Sequence, residues 1–219
     1  MEEIDTKDKI LKGADSLFTK YGVRSISMDD IARHLSVSKK TLYQHFADKD
    51  ELVTMVSQAH MNQKKLEYDE ITEQSENAID ELHKIAVVLK REMEEMNPTL
   101  LFDIRKFHPK AWSVWEEYKR DFIHSSVVRN IQQGIKDGHF RPEINPQIIA
   151  SMRLAAIETC FDDRIFPPSK FSLAEVQTQV FEHFVQGLCT DKGRKLYQKY
   201  KENYLNQPKI NLHKNETIL

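Results

Sequence analysis

Apolar residues recur at helical spacing from the start of the chain. Ile10, Leu11, Ala14, Leu17, Phe18 and Tyr21 fall at i, i+1, i+4, i+7, i+8 and i+11, one face of an amphipathic helix. Gly22 follows at once and suits a left-handed C-terminal cap. Ser27, with Asp29 and Asp30 behind it, opens a second short helix whose inward side is Ile31, Ala32 and Leu35. Ser36-Val37-Ser38 interrupts that helix. Ser38 can cap a third from Lys39, where Leu42 and Phe46, four apart, face inward. Asp48 caps a fourth, with Glu51 at the capping-box position and Leu52 as its first apolar residue.

No breaker appears from Glu51 to Gln74, so the fourth helix is expected to be long and to join two domains. A further helix is expected over Glu76 to Met96, stopped at Asn97-Pro98 because proline disfavours helix in the residue before it. A short helix fits Thr99 to Phe107, and Pro109 suits the first turn of the next, which should reach Asp137 before Gly138. Asn145-Pro146 starts another, to about Asp162, and Pro167-Pro168 forces a loop. Ser172 then caps Leu173 to Leu188, and a basic helix covers Asp191 to Tyr204. No alternating strand pattern of useful length occurs. The expected fold is all-α: a three-helix head with a helix-turn-helix over residues 1–52, a larger helical body over 53–206 for dimerisation and ligand binding, and a flexible tail over 207–219.

Composition changes this picture little. With 40% hydrophobic and 30% charged residues, the 219-residue chain has the balance of a globular protein rather than a disordered one. A net charge of −2 does not advertise a nucleic-acid partner. Phosphate contact, however, needs a local basic face, and between Arg33 and Lys49 the basic residues Arg33, Lys39, Lys40 and Lys49 meet only Asp48. The two cysteines, Cys160 and Cys189, have neither metal-ligand spacing nor the density of a disulfide framework, which points to a reducing, cytoplasmic setting. The N-terminus lacks an apolar signal core, and no apolar run approaches the roughly 20 residues of a membrane helix.

Two short helices joined by a tight turn and backed by a supporting helix form the layout of a DNA-reading helix-turn-helix. With Leu42 and Phe46 inward, the exposed positions of the third helix are Lys39, Lys40, Thr41, Tyr43, Gln44 and His45. These cations, hydroxyls and an amide are groups that reach phosphates and base edges. A solvated amphipathic hairpin is the plain alternative for any one feature, though not for the ordered set.

The stretch from Lys9 to Leu52 resembles the DNA-binding domain of the TetR family, through Ile31-Ala32, Val37-Ser38, Thr41-Leu42-Tyr43, His45-Phe46 and Lys49-Asp50-Glu51-Leu52. That resemblance implies a homodimer on a pseudo-palindromic duplex operator, usually a repressor released by a small ligand. It also implies roles for matching positions: Thr41 and Tyr43 on backbone or bases, Lys39 and Lys40 projecting into the groove, and Lys49 on a phosphate. Ser27, Gln44 and His45 complete the candidate DNA-contacting set. Ser36 departs from the family, which most often has Gly at that turn. Resemblance beyond Leu52 is architectural.

In the body, the last two long helices are the natural dimerisation pair. Ile148, Met152, Ala155, Ala156 and Thr159 offer one face, and Val176, Val180, Phe184 and Leu188 the other. Both faces could equally be core of a single chain. An aromatic concentration supplies ligand-pocket candidates: Phe102, Phe107, Trp112, Trp115, Tyr118, Phe122 and Phe161, with Met93 and Met96 beside them and Arg105 and His108 as polar handles. Such a lining suits a lipophilic effector, although aromatic stripes at helical spacing serve a solid core as readily.

Enzyme chemistry finds no footing. The nine histidines show no HExxH or comparable ligand spacing, and no P-loop, nucleophile elbow or glycine-rich nucleotide turn occurs. No catalytic residue, metal or cofactor is expected. Three readings remain: a ligand-released repressor, an activator or ligand-independent regulator of the same fold, and a helical protein-interaction module without DNA binding.

Overall fold

The computed structural model describes residues 6–206, so the tail expected over 207–219 lies outside the described residues. Eleven α-helices and one π-helical turn are found there, with no strand. Helix α1 (Thr6–Tyr21) buries Ile10, Ala14, Leu17 and Phe18 of the face read from the sequence, leaves Leu11 half-buried and Tyr21 exposed, and ends on Gly22 at φ 79°. α2 (Met28–His34) and α3 (Lys39–His45) follow, then α4 (Lys49–Glu73), which runs unbroken out of the head.

Head and body share a core. The head's apolar cluster takes in Leu42, Phe46 and Leu52, continues through Val53 and Val56 of α4, and includes Ala111 of the body. Leu100 and Ile104 of α6 (Leu100–Phe107) pack against it, and α7 (Pro109–Glu117) lies along α4. A boundary drawn at residue 52 therefore cuts through packed side chains. Two hydrogen bonds add to the joint: Asn97 N–H donates to the Thr19 carbonyl at 2.7 Å, and His108 Nδ1 lies 2.8 Å from Asp50 Oδ1 in the first turn of α4.

The second cluster belongs to the body. Ile79 and Leu82 of α5 (Ala78–Glu95), Ile131 of α8 (His124–Lys136), and Phe181, Val185 and Leu188 of α10 (Leu173–Leu188) meet there, with Tyr197 of α11 (Asp191–Asn206) closing it. Helix α9 (Pro146–Cys160) packs against α8 and α10. The helix expected from Pro109 to Asp137 is one continuous path, but Tyr118–Ile123 is π-helical. A π turn admits an extra residue and rotates the helix beyond it. Lys119 is thereby turned inside, 5% exposed, onto the carboxylates of Glu116 and Glu158.

Candidate DNA interface and ligand cavity

The helix-turn-helix is built from caps. Ser27 Oγ accepts from Asp30 N–H at 3.2 Å while the Asp30 carboxylate accepts from Ser27 N–H at 2.9 Å, a complete capping box. The hydrogen bonds from the Ser27 hydroxyl and N–H hold the Asp30 carboxyl below its usual range. The chain then turns through Ser36 at φ 55°, the left-handed conformation that favours glycine, and Val37 N–H closes the turn on the Ala32 carbonyl at 3.0 Å. Ser38 Oγ accepts from Thr41 N–H at 3.0 Å and starts α3.

That geometry presents Lys39, Lys40, Tyr43 and Gln44 to solvent on one short helix, with Tyr43 50% exposed. Thr41 and His45 are half-buried. The Thr41 hydroxyl sits 2.8 Å from Ser38 Oγ, and the His45 ring lies 6.2 Å from Phe46. Lys39 Nζ pairs with Asp29 at 2.6 Å across the turn, an exposed contact that solvent screens and a phosphate can displace. Lys49 is placed differently from the expectation. Its ammonium donates to the Val23 carbonyl at 2.7 Å, and burial lowers its pKa, so it ties α4 to the end of α1.

The body holds a cavity of about 860 Å³, within the roughly 300–1,000 Å³ usual for ligand sites. Of the pocket candidates, Trp115, Tyr118, Phe122 and Phe161 line it, together with Met93 and Met96. Tyr118 and Phe122 stack at 5.2 Å and Trp115 follows at 6.1 Å, so the end of α7 and the π turn together carry the aromatic wall.

The remaining pocket candidates are corrected. Phe102 and Phe107 are 55% and 43% exposed, because α6 turns Leu100, Leu101 and Ile104 inward and leaves these rings outside beneath Lys106. Arg105 lies on the surface over Trp112, and His108 bonds Asp50; none of these three lines the cavity.

The dimerisation candidates divide similarly. On α9, Ile148 and Met152 are 58% and 62% exposed, with Ala155 and Thr159 exposed on the same stripe and Ala156 half-buried beside it. On α10, Val180 is half-buried, whereas Val176 and Leu188 are buried within the single chain. Phe184 lines the cavity. Those three are withdrawn from the interface, since α10 spends its apolar face on α5.

The residue that sequence reasoning missed is Arg153. It is 4% exposed on the inner stripe of α9, three residues after Ala150 and four before Ile157, both also buried. An arginine in phase with those two was the available signal. Its guanidinium lies over the rings of Phe181 and Phe184, at 4.9 and 5.5 Å, in the cavity wall.

A capped helix-turn-helix fused to a helical body with an internal cavity defines a helix-turn-helix transcription regulator, and no helix among the described residues is long and apolar enough to cross a membrane. Residues 10–56 match the family model for bacterial regulatory proteins of the tetR family. The chain is similar to the uncharacterized helix-turn-helix regulator YvaF of Bacillus subtilis, 26% identical over 169 residues that span 77% of this chain and 88% of that one. It is also similar to the transcriptional repressor KstR2 of Mycobacterium tuberculosis, 21% identical over 190 residues spanning 85% of this chain and 94% of that one. The solved FadR regulator of Bacillus subtilis, in complex with stearoyl-CoA, shares the fold at TM-score 0.56 and 16% identity, covering 82% of this chain and 98% of that one. Residues 10–56 thus carry a DNA-binding domain of the tetR family, and the chain is a DNA-binding transcription regulator rather than an enzyme.

Proposed function

We propose that the chain works as a cytoplasmic homodimer that represses transcription from a pseudo-palindromic operator and releases it when a small lipophilic molecule fills the body cavity. The observation that carries this reading is that one cavity has walls from both parts of the chain. Asp15, Phe18 and Thr19 of α1 line it from the head, and residues of α5, α8, α9 and α10 from the body. A ligand there contacts the support of the DNA-reading unit and can favour one head position over another. The names of two similar proteins lend support: KstR2 is called a repressor, and FadR was solved with stearoyl-CoA.

In this reading Lys39, Lys40, Tyr43 and Gln44 reach the major groove, Ser27, Thr41 and His45 flank them, and Lys49 positions α4. Two such heads must sit about one helical turn, roughly 34–36 Å, or a multiple of it apart. The exposed stripe of Ile148, Met152, Ala155 and Thr159 on α9 supplies the dimer contact, with Ala156 and Val180 at its edge.

Selection of bound sequences from a random duplex pool tests the reading. The expected result is an enriched inverted repeat, lost with Tyr43→Ala while the dimer persists. Recovery of no motif, with only weak salt-sensitive retention, would favour a protein-interaction role instead.

A further inference from the structure

One buried charge in the cavity wall lacks a polar partner. Its buried or half-buried carboxylates all have partners: Glu92 pairs with Lys64 at 2.7 Å, Glu81 with Arg129 at 2.7 Å, and Asp15 is hydrogen-bonded to His60 at 2.9 Å. Glu95 and Lys20 are exposed to solvent at the rim. Arg153 alone remains. It forms no ion pair or hydrogen bond among the described residues, and its Nη1 is buried with no partner. Tyr118, on the aromatic wall, likewise has a buried hydroxyl with no partner. Both side chains line the same cavity.

A guanidinium cannot lose its charge at neutral pH, and a charge kept from water without a partner is costly. The contacts with the Phe181 and Phe184 rings satisfy none of its N–H donors, and a guanidinium's donors match the two oxygens of a carboxylate. The rest of the lining is mostly aliphatic, aromatic and methionine side chains.

We propose that the effector is an anionic amphiphile, an apolar body ending in one compact oxyanion such as a carboxylate, which Arg153 receives inside the cavity with the Tyr118 hydroxyl as a second donor. This rests on the reading of the cavity as the effector site and narrows the ligand to a chemical class. It excludes neutral lipophiles as the best ligands. It also excludes conjugates whose negative charge sits on a bulky headgroup outside the cavity.

The test is binding of laurate, palmitate and cholate, each beside its methyl ester, and of palmitoyl-CoA, to the delipidated full chain. Quenching of Trp115, compared with a Trp112→Phe background, reports occupancy. At least one acid is expected to bind about 10- to 100-fold tighter than its ester, the discrimination typical of a charged hydrogen bond. Arg153→Gln should erase that preference, and Arg153→Lys should keep part of it. Circular dichroism checks that the variants remain folded. An ester equal to its acid for every pair overturns the proposal, as does acid binding indifferent to Arg153→Gln or tighter binding of palmitoyl-CoA independent of Arg153. Operator gel shifts on the same samples separate the two ideas. An acid that binds through Arg153 without weakening operator affinity refutes the effector reading alone. A neutral lipophile that releases the operator refutes the anion proposal alone.

Discussion

Replacing Arg153 by methionine should make the ligand-free protein more stable. Burial, the largest influence on this guanidinium, brings its pKa well below the usual range, down to about 10. One pKa unit corresponds to about 1.4 kcal/mol, so the charge opposes folding by on the order of 3 kcal/mol at neutral pH. Stacking on Phe181 and Phe184 returns about 1–2 kcal/mol of this. Methionine retains an unbranched chain that can fill the same path between the rings. The net gain for Arg153→Met is therefore about 1–2 kcal/mol, a rise of a few degrees in Tm for a chain of this length.

The pH dependence is set by the sign of the shift. The folded pKa lies below the unfolded one, so between the two values the unfolded chain holds more protons and stability rises with pH. Below about 10 the penalty is complete and constant. The advantage of the variant should thus be flat across neutral pH and shrink only in strong alkali. Differential scanning calorimetry of delipidated protein measures it. A bound carboxylate should raise the Tm of the parent and leave that of Arg153→Met nearly unmoved. If Arg153→Met lowers the Tm of the ligand-free protein, the guanidinium serves packing, and a cavity organised around an awaited anion is refuted.

Ser36→Gly should raise the urea midpoint by up to about 1 kcal/mol in stability, because φ 55° strains any residue with a side chain; no change would place the strain elsewhere. Gly134→Ala should cost about 1–3 kcal/mol, since the added methyl would overlap the ring of Phe140, itself 1% exposed; an unshifted midpoint would show that this ring can retreat. Met152→Glu should turn the proposed dimer into a folded monomer by light scattering after size exclusion. Persistence of the dimer would move the interface off the exposed stripe of α9.

The head was legible because its signals are local. Ser27, Ser38 and Asp48 each cap the helix assigned to them, and most of the apolar stripe residues, Tyr21 excepted, pack into one head cluster. Even the unusual Ser36 could be read as a turn under strain. The body was less legible because its signals are ambiguous between neighbours. Phe102 and Trp115 are equally apolar, and only the direction in which α6 turns decides which reaches the cavity. The π turn at Tyr118–Ile123 has no breaker to announce it, so the burial of Lys119 was invisible. Val176 and Leu188 form a stripe that could close a dimer or a single chain, and α5 takes it. Arg153 was hidden by its neighbours, since Ile148, Ile149 and Ala150 make α9 read as purely apolar.

The shared core bears on how the proposed release would travel. Because Leu100, Ile104 and Ala111 pack into the same cluster as Leu42 and Phe46, the head cannot tilt without moving α6 and α7 or parting from them. Leu100, Leu101 and Ile104 also line the cavity, so a ligand pressing on them presses on the packing of the head itself. The hydrogen bond from His108 to Asp50 joins the end of α6 to the first turn of α4, one residue from Lys49 and its tie to Val23. On the proposed mechanism, α6 is therefore the transmitting element and α4 the lever it moves. The exposed rings of Phe102 and Phe107 fit that role, because the outer face of α6 packs lightly and leaves the helix room to shift.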